Sequence, residues 1–294
     1  MSKKTFLFIV IFTGLLGGLG YFEYQYYRMP ILVDAGVETE KKLVTVTNER
    51  DAIPAILDPQ FESVASADVY LDDAGYGIVI EVASRVRFYP YQIIVWHQLV
   101  NDIINTTPLL VTYDPLCNSA LAYTRNIEGE ELRFGVSGKL WNNNTVMYDT
   151  VTDSLWSQLT GEAIEGLYTN TKLSRYPSTL MTWSEFKSTF ASGQVLSRDT
   201  GYRRDYTQNP YEHEGYSTSP AIWFPLDPED DRLSPKSLVF GVEKQSVSAV
   251  FPVDSWAEFD TIRSQLQDDT ILLPSYWFCW AAMHPGTEIY SLTP

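Results

Sequence analysis

Only two cysteines, Cys117 and Cys279, occur in 294 residues, so at most one disulfide can form within the chain. Basic residues are also scarce: 21 Lys and Arg stand against 37 Asp and Glu, a formal charge of −16. Nucleic-acid binding rests on Lys and Arg neutralising phosphates, and without a basic stripe that class of partner is set aside, as are anionic lipid headgroups. Several chemical signatures are missing as well. Gly138-Lys139 fails as the end of a phosphate loop, because Arg133 takes the first glycine position and Leu140 the Ser/Thr position. Asp227-Pro-Glu-Asp-Asp231 lacks the alternating ligands and the glycine of a calcium loop. There is no Gly-x-Ser-x-Gly elbow and no His-Glu-x-x-His helix.

What is present is abundant apolar surface. Hydrophobic residues make up 45% of the chain and 19 Tyr, 14 Phe and 8 Trp are included, enough to build a large core and unlike the aromatic-poor composition of disordered chains. Lys3 and Lys4 precede an uncharged run from Thr5 to Phe22, near the lower length limit for a transmembrane helix. The two lysines place residues 1–4 in the cytoplasm, and Tyr21, Phe22, Tyr24, Tyr26 and Tyr27 resemble an interfacial aromatic belt, so the rest of the chain is expected outside the membrane. A cleaved secretory signal is the rival reading, but no small-x-small cleavage site follows Gly20. A buried helix of a soluble domain fits less well, because the run is apolar on every face.

Residues 23–69, with Pro30, Pro54 and Pro59 and a charged stretch from Glu38 to Lys42, read as a stalk and lead-in segment before a domain over 70–294. Residues 78–89 (IVIEVASRVRFY) alternate apolar and polar with many β-branched members, and further strand-like runs cover 93–104, 108–113, 119–125, 132–138 and 145–149. Turn residues separate them at Asn105 to Pro108 and at Gly138 to Asn144. Thr182-Trp-Ser-Glu185 and Ser255-Trp-Ala-Glu258 match capping boxes, ahead of Phe186 and Phe190 in one case and Phe259, Ile262 and Leu266 in the other. Gly193 is placed to end the first of these helices. The expected fold is β-rich α+β: antiparallel sheets with a few short helices, plus the N-terminal transmembrane helix.

A weak internal echo pairs IVIEVASRVRFYP (78–90) with LVFGVEKQSVSAVFP (238–252), and PLLVTYDPLCNSALAY (108–123) with ILLPSYWFCWAAM (271–283). Two related halves would account for it, and so would the shared composition of strands ending in Tyr-Pro or Phe-Pro. An exported location favours pairing of the cysteines. The echo, however, sets them at nearly matching points of separate halves, and the resulting expectation is two unpaired thiols.

The densest cluster of chemically capable residues is Trp96-His97-Gln98-Leu99-Val100-Asn101-Asp102 together with Thr112 to Asn118. His97, Asp102, Asp114 and Cys117 would offer imidazole, carboxylate and thiolate groups, with His97, Asp114 and Cys117 as ligands to zinc or copper if the chain brings them together. A hydrogen-bonded structural histidine and a buried cysteine are the plainer reading. Nucleophilic attack by Cys117 with His97 as base lacks any orienting group in the sequence. A second candidate is the stretch 201–216, where Tyr202, Arg203, Arg204, Tyr206 and Tyr211 crowd aromatic faces beside two guanidinium groups. Such a surface suits a sugar, an anionic small molecule or a protein partner, and equally describes a long loop packed by its own aromatics.

Tyr89-Pro90, Trp96-His97, Val100-Asn101-Asp102, Pro115-Leu116-Cys117, Phe134-Gly-Val-Ser-Gly138, Met147-Tyr-Asp149, Leu155-Trp156, Thr160-Gly161 and Asn209-Pro-Tyr211 resemble the microbial family catalogued as domain of unknown function 3179, over roughly residues 70–290. The resemblance implies an exported protein and no particular activity. In that family the histidine motif usually reads Trp-His-Glu and the cysteine motif Cys-Pro-Leu-Cys, a pattern suggestive of a metal or redox centre. Gln98 and Asp114 stand here where the Glu and the first Cys are usual, so no dithiol can form at that spot. The function expected from the sequence is a membrane-anchored extracytoplasmic binding or assembly module; a metal-binding protein or metalloenzyme with a His/Asp/Cys site is the alternative.

Overall fold

The apolar–polar alternation at 78–89 folds as a hairpin. Tyr76–Val82 pairs antiparallel with Arg85–Pro90, and the chain reverses at Ala83, whose φ is +55°. The structure is a computed structural model that describes residues 37–38, 43–212, 215–244, 247–255, 258, 261–263, 266 and 271–290. No helix among these described residues is long and apolar enough to cross a membrane. The apolar run at 5–22, and the anchor expected from it, lie outside the described residues, as does most of the helix expected after Ser255.

The domain is β-rich, with five sheets and a few short helices. Leu99–Ile104, Thr107–Asp114 and Ser119–Thr124 form a three-stranded antiparallel meander, with Asn105 (φ +57°) and Asn118 (φ +50°) in its turns, where the short Asn side chain tolerates the left-handed conformation. A six-stranded antiparallel sheet is centred on Phe134–Trp141 and Asn144–Asp149. The sequence predicts one strand over 93–104. Instead Tyr91–Ile94 is a single helical turn and His97 lies in the connection that follows it. Proline at 90 pre-sets the N-cap position, and the apolar residues 93–96 suit a buried turn as well as a strand. Residues 43–69, read as stalk and lead-in, pack against the domain: Leu43–Thr45 pairs with Lys139–Trp141, and Ile56 is fully buried against Val100. That packing requires a glycine at 138. Its φ is +79° and a Cβ there would meet the Thr47 carbonyl oxygen at 2.4 Å.

Two of the sheets are copies of one unit. In the first, Thr179–Thr182, Tyr76–Val82, Arg85–Pro90 and Gln194–Leu196 lie side by side; in the second, Leu273–Tyr276, Leu238–Lys244, Val247–Val253 and Glu288–Ile289 do so in the same order. The registers agree residue by residue. Gly77 faces Pro90 and Val239 faces Pro252; Thr182 faces Tyr76 and Tyr276 faces Leu238. The last strand is parallel in both, with Gln194 opposite Arg87 and Glu288 opposite Ala249. A seven-residue helix joins the outer strands in each unit, Trp183–Thr189 and Trp277–Met283. Trp183 N–H donates to the Gly75 carbonyl as Trp277 N–H donates to that of Ser237, and Phe190 and His284 close the two helices on Phe186 and Trp280. The two sheets thus match in strand order and register, and the matching of 271–283 with 108–123 is corrected: its structural counterpart is 177–189. Each unit also contains a parallel pair, so the sheets are not antiparallel throughout. The first helix carries the expected capping box between Thr182 and Glu185, although it ends at Thr189 with Phe190 as cap, ahead of Gly193.

Trp156, Trp183, Trp277 and Trp280 are fully buried, each removing on the order of 150–250 Å² from water, or roughly 4–6 kcal/mol. Cys117 and Cys279 form a disulfide with Cα atoms 5.6 Å apart, which overturns the expectation of free thiols. The reason is the corrected alignment. Cys279 corresponds to Glu185 of the first unit, whereas Cys117 belongs to the long insertion 91–178, whose turn after Asp114 lies directly on the second unit: Tyr276 N–H donates to the Cys117 carbonyl at 2.7 Å. The bridge closes a loop of sequence separation 162. In the chain-entropy model such a loop adds about 5 kcal/mol, so reduction is expected to lower the melting temperature by on the order of 10–20 °C. Thiol labelling under denaturing, non-reducing conditions should find no reactive cysteine, and two labels per chain would overturn the pairing.

Candidate functional site

His97 sits in the turn that leaves the helix Tyr91–Ile94. Its Nδ1 lies 2.8 Å from the Pro54 carbonyl, which can only accept, so Nδ1 carries the proton and Nε2 accepts from the Tyr206 hydroxyl at 2.7 Å. Tyr206 in turn accepts from Thr200 at 2.6 Å. Burial pushes the His97 pKa down to about 4, against the help of the Pro54 carbonyl. Next to it Gln98 (φ +60°) receives a bond from Thr145 Oγ1 and donates through Nε2 to the Tyr211 hydroxyl at 3.1 Å.

The remaining members of the first cluster turn to separate tasks. Asp102 is buried against Arg87, which reaches both its oxygens at 2.5 Å, and against the Tyr89 hydroxyl. Asp114 folds the turn that follows it, accepting from the backbone N–H of Leu116, Cys117 and Thr145 and from Asn144 Nδ2. Desolvation nevertheless raises its pKa to about 6. Cys117 is joined to Cys279 and offers no thiolate. His97, Asp114 and Cys117 thus each have other partners. Among the described residues no group of three or more His, Cys, Asp or Glu is arranged to hold a metal ion.

The second cluster comes to the first. The loop 201–216 lies over the Trp96–Gln98 turn: Trp96 Nε1 donates to the Gln208 carbonyl, Tyr206 bonds His97, and Tyr211 bonds Gln98. Tyr206 and Tyr211 are buried, Tyr202 is exposed with its ring 5.6 Å from that of His97, and Arg203 is exposed while Arg204 is half-buried. The guanidinium groups therefore do not join the aromatics inside.

Where this loop meets the meander, an open cavity of about 210 Å³ is lined by six tyrosines, Tyr76, Tyr91, Tyr113, Tyr211, Tyr216 and Tyr276, with Glu212 as its charged group. Tyr91 and Tyr113 stack with centroids 4.2 Å apart. Burial raises Tyr113, Tyr211 and Tyr216 well above the ordinary phenol value, so their rings stay neutral. Tyr211 also lines an apolar cleft of about 80 Å³ walled by Val46, Ile53, Leu116, Leu140, Trp223 and Phe224, with Thr47, Gln98, Thr145 and Lys139 as polar members. Of the six tyrosines, Tyr211 and Tyr216 fall in the stretch 201–216 and Tyr113 in the cluster 112–118 that the sequence marks, whereas Tyr76, Tyr91 and Tyr276 come from segments far apart in the chain, for which the one signal was the abundance of tyrosine itself. A further half-buried cluster lies elsewhere: desolvation works to raise the carboxyl of Glu243, but the hydrogen bond from His284 and the charge of Arg175 hold it well below the usual range.

His97 and Asp114 oppose each other in acid. With its pKa at about 4 rather than 6.5, His97 stabilises the fold fully above pH 6.5, and that contribution is lost as the pH falls toward 4. Asp114, raised from 3.8 to about 6, costs stability above pH 6, and the cost is relieved over nearly the same interval. A His97→Gln variant separates the two. At pH 7.5 it should be less stable than the parent by about 1–3 kcal/mol through its lost buried hydrogen bonds. The deficit should then shrink by up to about 3 kcal/mol by pH 4, as measured by denaturant unfolding. A deficit that does not change with pH would show that His97 is not held neutral.

Neither the curated proteins nor the solved structures include a match to this chain. A family model does match, over residues 50–274, covering the meander, the first unit, the loop 201–216 and most of the second unit. The chain belongs to the family described as protein of unknown function (DUF3179).

Proposed function

We propose that this protein is a membrane-anchored, extracytoplasmic binding module whose small-molecule ligand occupies the tyrosine-lined cavity. The cavity itself carries the reading. Five separate segments of chain bring six tyrosines around an open cavity of about 210 Å³. Concave, aromatic-walled sites with a few polar groups are the usual form of small-molecule sites. Catalysis fits less well than binding, because both ring nitrogens of His97 are occupied by neighbours and Cys117 is in a disulfide. Export is supported by that disulfide, since such bonds persist in oxidising compartments, and by the apolar run at 5–22 behind Lys3 and Lys4.

Two measurements test this. Intact-mass analysis of protein extracted from membranes should find residues 1–22 still attached; a mature species beginning near Tyr21 would overturn the anchor and leave export standing. Thermal-shift screening of the full-length protein against cationic, neutral and anionic small molecules should find a class that stabilises the parent but not a Tyr211→Ala variant. A ligand at a hundredfold excess over its Kd adds about 2.7 kcal/mol, which is several degrees. No stabilisation by any class at millimolar concentration would overturn the binding reading.

A further inference from the structure

Two carboxylates and one ammonium act on the six tyrosine rings: Asp114, Glu212 and Lys236, which is itself influenced by the Glu212 charge. Glu212 is exposed at the rim of the cavity, and Asp114 lies behind the tyrosine wall. Their fields are felt inside: after burial, Asp114 contributes to the raised pKa of Tyr113, Tyr211 and Tyr216, and Glu212 to that of Tyr113 and Tyr276. No Lys or Arg is among the residues that line the space. The protein already seats an ammonium on one of these rings, with Lys236 Nζ 3.3 Å from the centroid of Tyr216.

The hydrogen-bonding groups of the wall are mostly engaged. Asn118 Oδ1 accepts from Tyr113, Asn209 Oδ1 from the backbone N–H of Tyr211, Ser217 donates to Glu212, and the Tyr216 hydroxyl donates to the Leu116 carbonyl. What the cavity offers is phenol rings, two of which, Tyr91 and Tyr113, stack on each other, and the carboxylate of Glu212. Neutral rings around a negative site attract a cation through the ring quadrupole, and a cation with no N–H of its own loses nothing for want of hydrogen-bond acceptors.

We infer that the tyrosine cavity binds an organic cation of the quaternary ammonium class, with the rings of Tyr91, Tyr113, Tyr211 and Tyr276 around the alkylated nitrogen and Glu212 as its counter-charge. The inference rests on the reading of this domain as a binding module and names the ligand class for that site.

Calorimetric titration of the full-length protein with choline chloride tests it, alongside 3,3-dimethyl-1-butanol, the uncharged carbon analogue of choline. Choline should bind at least tenfold more tightly than the alcohol. Glu212→Gln, at an exposed position, should weaken choline several-fold with the melting temperature unchanged. Tyr276→Phe should keep affinity and Tyr276→Leu should lose it, since the ring face and not the hydroxyl makes the contact. Equal affinity for the alcohol, or a choline affinity indifferent to Glu212→Gln, would overturn the inference. So would stabilisation of the parent by neutral or anionic compounds with no choline binding at millimolar concentration, an outcome that leaves the binding-module reading intact. Absence of any ligand class in the thermal-shift screen would remove both.

Discussion

The four-residue turn Asp114–Cys117 is the point on which the site depends. The Asp114 carboxylate holds it closed from within by accepting the N–H groups of Leu116 and Cys117. Its outward groups are then each tied to a different part of the molecule. The Leu116 carbonyl accepts from the Tyr216 hydroxyl at 2.8 Å, the Cys117 carbonyl from Tyr276 N–H at 2.7 Å, and the Cys117 sulfur is bonded to Cys279. Tyr113 immediately precedes the turn. Three walls of the tyrosine cavity, Tyr113, Tyr216 and Tyr276, are thus positioned through four consecutive residues, and a buried carboxylate with four donors is the element that keeps those residues in place. Burying it raises its pKa and costs stability, which is the pattern of a polar group retained to fix one geometry.

The duplicated unit explains how such a turn finds something to grip. In the first copy the helix start is secured locally: Thr182 and Glu185 complete a capping box. In the second copy Tyr276 stands at the cap without a side-chain bond, and Cys279 occupies the place of Glu185. This helix, which has no reciprocal cap, is instead bonded covalently to the insertion of the first unit. A contact between the two halves therefore does in the second copy what a local contact does in the first. Tyr276 thereby becomes a cavity wall, where its counterpart Thr182 faces Glu185. The two copies share an architecture and have divided the work.

How much of this could be read from the sequence follows from the range of each interaction. The hairpin at 238–252, the meander strands and the Thr182–Glu185 capping box are local patterns, and the structure has them. The internal echo paired 78–90 with 238–252, both strand-like runs that end in an aromatic followed by proline, and each run folds as a hairpin and not as one strand. It failed at 271–283, because the matching segment 177–189 shares little with it beyond the tryptophan at the start of the helix; side chains at the other positions had changed with their new contacts. The disulfide was missed for the same reason. His97, Asp102, Asp114 and Cys117 are neighbours in sequence but point to Pro54, Arg87, Thr145 and Cys279, partners from 15 to 162 positions away. Nothing local encodes those choices.

The surplus of acidic residues bears on the site in a way that individual contacts do not show. At a formal charge of −16 the surface excludes anions generally and raises the local concentration of small cations, an effect screened over about 8–10 Å at ordinary ionic strength. A cation arriving by that route meets Glu212 first, and the phenol rings only after shedding water. Ring faces hold a poorly hydrated, alkylated ammonium better than a strongly hydrated ion, because less hydration is given up for the same contact. Potassium and sodium would therefore stay with the carboxylates outside, while the cavity selects by desolvation. On this account the long-range field and the aromatic wall do different things: the acidic surface gathers cations without discrimination, and the tyrosines set which of them remain.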